Sequence, residues 1–121
     1  MKTIVIVDDF ENTRKVVAFT LRKIEHNALM AENGEEGLQY FDGRDIDLLI
    51  TDLNMPKMDG IELVSRVRKI DKYKFLPVLM LTTERNEAKI KMCQDVKITS
   101  WVQKPYNFER FLKIVKKCLK V

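Results

Sequence analysis

The stretch "IVIVDDF", Ile4 to Phe10, places four apolar residues directly before two adjacent aspartates. Its Ile and Val content is typical of a strand buried on both faces. Two carboxylates about 4 Å apart repel each other by roughly 4 kcal/mol at the effective dielectric near a protein surface, so the pair is costly unless both face water or share a cation. Two interpretations are therefore open: a solvated turn in which Asp9 caps the following helix, and a cation site.

Similar short apolar runs recur along the chain and alternate with helical patterns. The predicted strands are "TIVIV", "ALMA", "DLLIT", "PVLMLT" and "SWVQ", and the predicted helices are "ENTRKVVAFTLRKIE", "GEEGLQYF", "GIELVSRVRKI", "NEAKIKMCQDV" and "NFERFLKIVKKCLKV". This alternation predicts an α/β fold, a doubly wound parallel sheet with helices on both faces. In the last helix a buried stripe is expected at Phe108, Phe111, Ile114, Val115 and Cys118.

Length and composition fit one domain that spans residues 1–121. The chain is large enough for one core at 45% hydrophobic residues and too short for a second folded module. The last helical pattern reaches the final residue, so no output domain is expected. The longest apolar runs fall short of the roughly 20 residues that span a bilayer, and acids stand where a signal peptide keeps its apolar segment. We therefore expect a cytoplasmic monomer that does not contact membranes.

Cysteine, histidine and charge content exclude several function classes. Cys93 and Cys118 form no CxxC pair and lie in apolar helical patterns, so both are predicted to be buried free thiols. His26 is the only histidine, which excludes a histidine zinc cluster. Residues 61–121 hold 15 basic and 6 acidic residues, but their lysines are interleaved with apolar residues at helical spacing. This pattern favours a solvated helix face over nucleic-acid binding.

Charged and polar side chains stand where the predicted strands end, which is where ligands bind in open α/β sheets. They are Asp8 and Asp9 after strand one, Asp52 after strand three, Thr82 and Thr83 at strand four, and Lys104 after strand five. A carboxylate cluster suits Mg²⁺, which binds a few oxygens and keeps waters that a phosphate can replace. A carboxylate between Mg²⁺ and an ammonium stays ionised and can attack a phosphoryl group. Asp52 is the predicted nucleophile.

The combined motifs resemble a known family. "VDDF" with Arg14 downstream, "TDLNMPKMDG", "MLTTE" and "KP" near the end are similar to the motifs of receiver domains of two-component response regulators, particularly the single-domain, CheY-like chemotaxis proteins. The resemblance covers essentially the whole chain and implies a flavodoxin-like (βα)5 fold with strand order 2-1-3-4-5. It also implies a signalling switch that takes phosphoryl from a histidine kinase and then binds an output partner, such as a flagellar motor switch protein or a phosphotransfer protein.

The resemblance also implies roles for individual residues. Asp52 would accept the phosphoryl group, and Mg²⁺ would be bound directly by Asp9, Asp52 and the Asn54 carbonyl, with Asp8 acting through water. Such a protein is not an enzyme beyond catalysing its own phosphorylation and dephosphorylation.

The resemblance also implies which residues in the second half of the chain form the switch. Lys104 would contact the phosphoryl group and form a cis peptide bond with Pro105. Thr82 would supply the hydroxyl that moves toward the phosphate, and Trp101 the switch aromatic. The readout face would be helix four, strand five and helix five.

Three positions depart from the family pattern. Lys97 and Ile98 replace a Gly-Ala pair that commonly closes helix four, so that helix is expected to end differently or to be mobile. Thr83 stands where a smaller residue is common, and Trp101 where Tyr or Phe is usual. The alternative function is a single-domain phosphorelay intermediate or phosphate sink that passes phosphoryl to a histidine phosphotransfer protein. A haloacid dehalogenase-type phosphatase is disfavoured because no acid stands two residues after Asp52.

Overall fold

The computed structural model describes residues 1–121, which form five strands and five helices. The strands are β1 Thr3–Val7, β2 Asn27–Ala31, β3 Leu48–Thr51, β4 Val78–Thr82 and β5 Ser100–Gln103, and the helices are α1 Glu11–Lys23, α2 Gly34–Leu38, α3 Gly60–Arg68, α4 Glu87–Asp95 and α5 Phe108–Leu119. None of the helices combines the length and the apolar character that crossing a bilayer requires.

The five strands form one parallel sheet in the order β2-β1-β3-β4-β5. In its register Ile6 lies beside Met30 on one side and Ile50 on the other. The predicted fold class and strand order are confirmed. Because the chain winds in opposite directions from β1 and from β3, a crevice forms at their carboxyl ends, where Asp8 and Asp52 follow.

The sheet separates two hydrophobic cores, which explains why its central strands β1, β3 and β4 are almost entirely apolar. Successive side chains of a strand point to opposite faces. Ile4 and Ile6 of β1 therefore join the core that also contains residues of α1 and α5, whereas Val5 and Val7 join the core that contains residues of α3. A strand with both faces covered in this way leaves no position for an alternating polar residue.

Helices α2 and α5 depart most clearly from their predicted extent or burial. Helix α2 ends at Leu38 rather than near Phe41, because the N–H groups of Gln39, Tyr40 and Phe41 bond to carbonyls three residues back and tighten the chain into turns. In α5 the predicted stripe is wrong at its first residue, since Phe108 is 52% exposed. Phe111, Val115 and Cys118 are buried, and Ile114 is half-buried. Both cysteines are free and buried, as predicted.

Helix α4 ends in a left-handed turn even though no glycine is present. Lys97 has φ 58°, and the N–H of Ile98 donates to the Cys93 carbonyl at 3.3 Å. This is the left-handed ending that a glycine usually provides, so the alternative of a different ending is wrong, while the alternative of a mobile helix stays a prediction. The Arg68 guanidinium of α3 donates to the carbonyls of Val96 at 3.3 Å and Lys97 at 3.0 Å, which satisfies carbonyl groups that the helix end leaves free.

Candidate functional site

The carboxyl ends of β1, β3 and β5 bring together two carboxylates and one ammonium group. Lys104 Nζ lies 2.8 Å from Asp8 Oδ2 and 3.4 Å from Asp52 Oδ2. These residues are 96 and 52 positions apart in the chain, so only the parallel sheet brings them into contact. All three side chains are at least four-fifths buried, which strengthens their mutual attraction relative to an exposed pair.

The two adjacent aspartates have different environments. Asp8 is buried, and its Oδ1 accepts a hydrogen bond from the Phe10 N–H at 2.9 Å, whereas Asp9 is exposed. Burial raises the pKa of Asp8, although the hydrogen bonds from Lys104 and Phe10 oppose that rise. Helix α1 begins after Phe10 with no side-chain cap, so the interpretation of Asp9 as a helix cap is wrong.

Asp52 is held by the start of the loop that follows β3. Its Oδ1 accepts a hydrogen bond from the Leu53 N–H at 2.7 Å, while its own N–H donates to the Val7 carbonyl at 2.9 Å. The first residue of α3, Gly60, packs against this backbone. A Cβ atom added to Gly60 would lie 2.3 Å from the Asp52 carbonyl oxygen, so only glycine permits this approach.

Lys104 is positioned by the end of β5. Its N–H donates to the Thr82 carbonyl at 2.8 Å, and its peptide bond to Pro105 is cis. Burial opposes the charged ammonium, but the hydrogen bond that it donates to Asp8 and the charges of Asp52 and Asp8 outweigh that cost and raise the pKa of Lys104. The lysine is therefore charged at neutral pH.

The predicted switch residues, Thr82 and Trp101, form no hydrogen bond to Asp52. Thr82 is buried at the end of β4, and its hydroxyl oxygen accepts a hydrogen bond from the Glu84 N–H at 3.2 Å. Trp101 is half-buried on β5 and packs against the small cluster of Leu53, Met80 and Cys93. Neither side chain hydrogen-bonds to Lys104 or Asp52, so the structure does not join the predicted switch pair to the acidic centre.

A polar network beside the site was not predicted from the sequence. Lys89 Nζ, in the first turn of α4, lies 3.1 Å from Glu84 Oε1 and 3.1 Å from Asn54 Oδ1. The Asn54 side chain also donates to Glu84 at 3.4 Å. Glu84 lies within the quoted motif "MLTTE" and Asn54 within the quoted motif "TDLNMPKMDG", but neither motif indicated that the two side chains are joined by Lys89. The network links the loop after Asp52 to the helix of the predicted readout face.

A second unpredicted contact fixes the loop after β1. Arg14 Nη1 donates to the Asp8 carbonyl at 2.7 Å, so this arginine orients the backbone of the acidic pair rather than neutralising its carboxylates. Arg14 was part of the motif "VDDF" with a downstream arginine, but no role had been assigned to it.

The acidic centre has the donor set that a hard divalent cation requires. One carboxylate oxygen each from Asp8, Asp9 and Asp52 lies within 4.8 Å of the others. The formal charges of the three carboxylates and the one lysine sum to −2 (−3 + 1), which a divalent ion balances. The residues present therefore fit a magnesium ion, and the arrangement can hold a phosphoryl group between that ion and Lys104.

Removing one charge from this cluster should stabilise the metal-free protein. Asp9 is exposed and has no ion-pair partner, so Asp9→Asn relieves repulsion without breaking a salt bridge. We expect the free energy of unfolding in urea to rise by about 1 kcal/mol in EDTA and the stabilisation by added Mg²⁺ to decrease. Asp45→Asn, which breaks a surface pair with Lys72, is the control and should leave the Mg²⁺ effect unchanged. A less stable Asp9→Asn protein in EDTA would contradict the repulsion.

Comparison with known proteins agrees with this geometry. The model of the response regulator receiver domain matches residues 4–116. A chemotaxis protein CheY homolog of Campylobacter jejuni is 35% identical over 106 residues, covering 86% of this chain and 82% of the relative. The structure of the chemotaxis protein CheY4 of Vibrio cholerae is 38% identical, with a TM-score of 0.92 over 98% of this chain and 99% of that one. The response regulator TrrA of Thermotoga maritima, solved in complex with Mg²⁺-BeF, is 33% identical, with a TM-score of 0.85 over 98% of this chain and 100% of that one.

Proposed function

The chain belongs to the response regulator receiver family, and from that membership we propose that Asp52 is the phosphoacceptor of a phosphorylation-dependent chemotaxis switch. Members of the family take phosphoryl groups from histidine kinases and interact with downstream partners. The observation that carries the assignment is the convergence of the Asp8 and Asp52 carboxylates within 3.4 Å of the Lys104 ammonium group.

The proposed chemistry is transfer of a phosphoryl group onto the carboxylate of Asp52. Oδ2 of Asp52, the oxygen that faces Lys104, forms a bond to phosphorus while the bond from phosphorus to the donor's histidine nitrogen breaks, and that nitrogen retains the electron pair. Asp52 Oδ1 is held by the Leu53 N–H, and Oδ2 faces Lys104. The Lys104 ammonium can therefore stabilise the negative charge on the phosphoryl oxygens, as positioned donors do in phosphoryl transfer.

Asp9, Asp52 and the Asn54 carbonyl would hold Mg²⁺, with Asp8 acting through water. When bound, the ion neutralises phosphoryl oxygens that the single Lys104 ammonium cannot balance alone. Asp8 contributes mainly by its position, since its two oxygens already bond to Lys104 and the Phe10 N–H. This division of roles agrees with the burial of Asp8 and the exposure of Asp9.

The proposed switch couples this site to α4, β5 and α5. Trp101 lies between two cavities, one of about 210 Å³ toward α4 and one of about 330 Å³ toward the start of α5, so its ring has space on either side. Helix α4 buries only Cys93 and is joined to the site through Lys89, which gives it few contacts to lose when it moves. The Thr82 hydroxyl would move toward the phosphate and so complete the conformational change that couples the site to α4, β5 and α5.

The proposed output surface is basic and suits an acidic partner such as a flagellar motor switch protein. It carries Lys89, Lys91, Lys97, Lys113, Lys116 and Lys117. The Campylobacter jejuni relative and the Vibrio cholerae protein described above are chemotaxis proteins, so the alternative of a phosphorelay intermediate is not favoured. Proteins of this kind are signalling proteins rather than classical enzymes, and the chemistry proposed for this chain is limited to its own phosphorylation and dephosphorylation.

Fluorescence of Trp101, the only tryptophan, tests the switch directly. We expect Mg²⁺ to change the Trp101 emission. Beryllofluoride, which mimics a phosphoryl group, should extend that change only when Mg²⁺ is present. Asp52→Asn should remove the response to beryllofluoride. A beryllofluoride response that survives in Asp52→Asn would contradict the phosphoacceptor assignment. A flat response together with full labelling by acetyl phosphate in mass spectrometry would remove Trp101 from the switch while leaving Asp52 in place.

A further inference from the structure

A basic cavity of about 290 Å³ lies at the amino-terminal end of the sheet, opposite the acidic centre. It is bounded by the end of α3, the segment that precedes β4 and the end of α4, whereas the acidic centre lies where β1, β3 and β5 end. Its charged lining residues are Arg68, Lys69, Lys74, Lys97 and Asp95. Four positive charges and one negative charge leave a formal charge of +3 in a small concave space, which favours an anionic ligand.

The positive charge of this cavity is not neutralised within the protein. None of the five charged side chains forms a salt bridge. Burial lowers the pKa of the Arg68 guanidinium, and no carboxylate opposes that effect. An arginine side chain nevertheless stays charged at physiological pH. The cavity therefore contains a half-buried cation without a counter-ion, and a bound anion would supply one.

Backbone carbonyl groups hold the Arg68 guanidinium in place. Besides the carbonyls of Val96 and Lys97, it donates to those of Tyr73, at 3.3 Å, and Leu76. An arginine side chain has five N–H groups, so these four bonds leave one N–H, on Nη2, without a protein acceptor. Because the guanidinium is rigid and planar, this free donor has a fixed direction and is suited to an oxygen of a phosphate group.

An exposed aromatic ring lies beside these cations. Phe75 lines the cavity and is 83% exposed, more than any other phenylalanine of the chain. Lys74 Nζ lies 5.9 Å from the centre of its ring. A ring exposed to this extent adds little to the core, but it offers a surface on which a flat group such as a nucleic-acid base can stack. The cavity therefore combines donors for an anion with a contact for a planar ring.

We propose that this cavity binds a nucleoside diphosphate, with its phosphate groups on Arg68, Lys69 and Lys74 and its base against Phe75. Such a ligand carries a charge of about −3 at neutral pH, with close to −2 on the terminal phosphate, which matches the formal charge of the cavity. Two helix ends and a turn form the cavity, so it suits a small ligand better than a helix or strand of a partner. Only Lys97 belongs both to this cavity and to the proposed output surface.

Titration of the isotope-labelled whole chain with ADP, followed by NMR, tests the site. EDTA removes Mg²⁺ and so keeps the acidic centre from binding phosphate. We expect ADP to bind with Kd of about 0.1–1 mM and to shift the signals of residues 68–75 and 95–97. Pyrophosphate has a similar charge but no base, so it should bind at least fivefold more weakly. Uncharged adenosine should show no measurable binding.

Phe75→Ser tests the stacking contact. The substitution should weaken ADP binding at least fivefold and leave pyrophosphate binding unchanged, because only ADP has a base that can stack. Phe19→Ser, at a phenylalanine of α1 that is 64% exposed, is the control and should change neither affinity. Equal affinities of the unmodified chain for ADP and pyrophosphate, or an ADP affinity that Phe75→Ser leaves unchanged, would overturn the proposal.

Charge reversal tests the phosphate contacts. Lys69→Glu with Lys74→Glu changes two exposed side chains and should weaken the binding of both ADP and pyrophosphate at least tenfold. Lys23→Glu with Lys113→Glu makes the same change in net charge outside the cavity and should weaken it less than twofold. Equal weakening by the two pairs, no detectable ADP binding, or ADP shifts centred on Asp52 would each overturn the proposal. Labelling of Asp52 by acetyl phosphate should be unchanged in every cavity variant, so this proposal can fail while the phosphorylation switch stands.

Discussion

Asp52→Asn is expected to abolish covalent labelling by acetyl phosphate in the presence of Mg²⁺. The amide preserves the size of the side chain and an oxygen that can accept the Leu53 N–H bond, so the fold should remain. It removes the negative charge that makes Oδ a nucleophile and that attracts Lys104 at 3.4 Å. We expect the labelled fraction, measured by intact mass, to fall at least about a hundredfold.

The appropriate control changes an aspartate outside the acidic cluster. Asp45→Asn alters an exposed carboxylate paired with Lys72 and should label as the unmodified protein does. Asp9→Asn should label slowly but recover partly at high Mg²⁺, because it weakens metal binding without removing the acceptor. Stoichiometric labelling of Asp52→Asn at another aspartate would show that the acceptor assignment is wrong.

The fold could be predicted from the sequence because a parallel sheet covered on both faces requires continuous apolar strands. Runs such as "IVIV" at Ile4–Val7 and "LLIT" at Leu48–Thr51 meet that requirement, because nearly all of their residues are apolar. Element ends were harder, because α2 stops where its hydrogen bonds change to a tighter pattern that propensity does not encode. Phe108 was misassigned since helical spacing does not show that the first turn of α5 extends beyond the core.

The acidic centre could be predicted because parallel strands place their carboxyl ends at one edge. The resemblance to the receiver family supplied the individual roles, which spacing alone left open. The sequence did not show which side chains bond to each other. Loop conformations and side-chain directions decide these contacts. Lys104 bonds to both Asp8 and Asp52. Lys89 joins Glu84 to Asn54.

The position of Lys104 explains how the metal-free site tolerates its aspartates. The Lys104 ammonium group forms salt bridges with both buried carboxylates, those of Asp8 and Asp52. Asp9 is exposed to solvent. A phosphoryl group on Asp52 adds charge at the atom that Lys104 already faces. The lysine then has a stronger partner than Asp8, so the hydrogen bond from Lys104 to Asp8 is the contact that phosphorylation is expected to weaken.

Gly60→Ala is expected to damage both the fold and the phosphorylation site. The added Cβ would lie 2.3 Å from the Asp52 carbonyl oxygen and 3.0 Å from Leu53 Cα, and these are backbone atoms that cannot rotate away. The start of α3 must therefore move, which also lengthens the 2.7 Å hydrogen bond from the Gly60 N–H to the Leu53 carbonyl. We expect a loss of about 2–4 kcal/mol in the free energy of unfolding in urea.

The labelling rate distinguishes local damage at Asp52 from general destabilisation. Under conditions where Gly60→Ala is fully folded, its labelling by acetyl phosphate should still be about tenfold slower, because the Leu53 N–H that holds Asp52 Oδ1 moves with the displaced loop. The three atoms nearest to a Cβ added at Gly34 all belong to the Met58 side chain, at 2.8–2.9 Å, rather than to backbone, so Gly34→Ala should destabilise the protein less and label at the unmodified rate. If Gly60→Ala matched the unmodified protein in both stability and labelling, the contact between α3 and Asp52 would not position the phosphoacceptor.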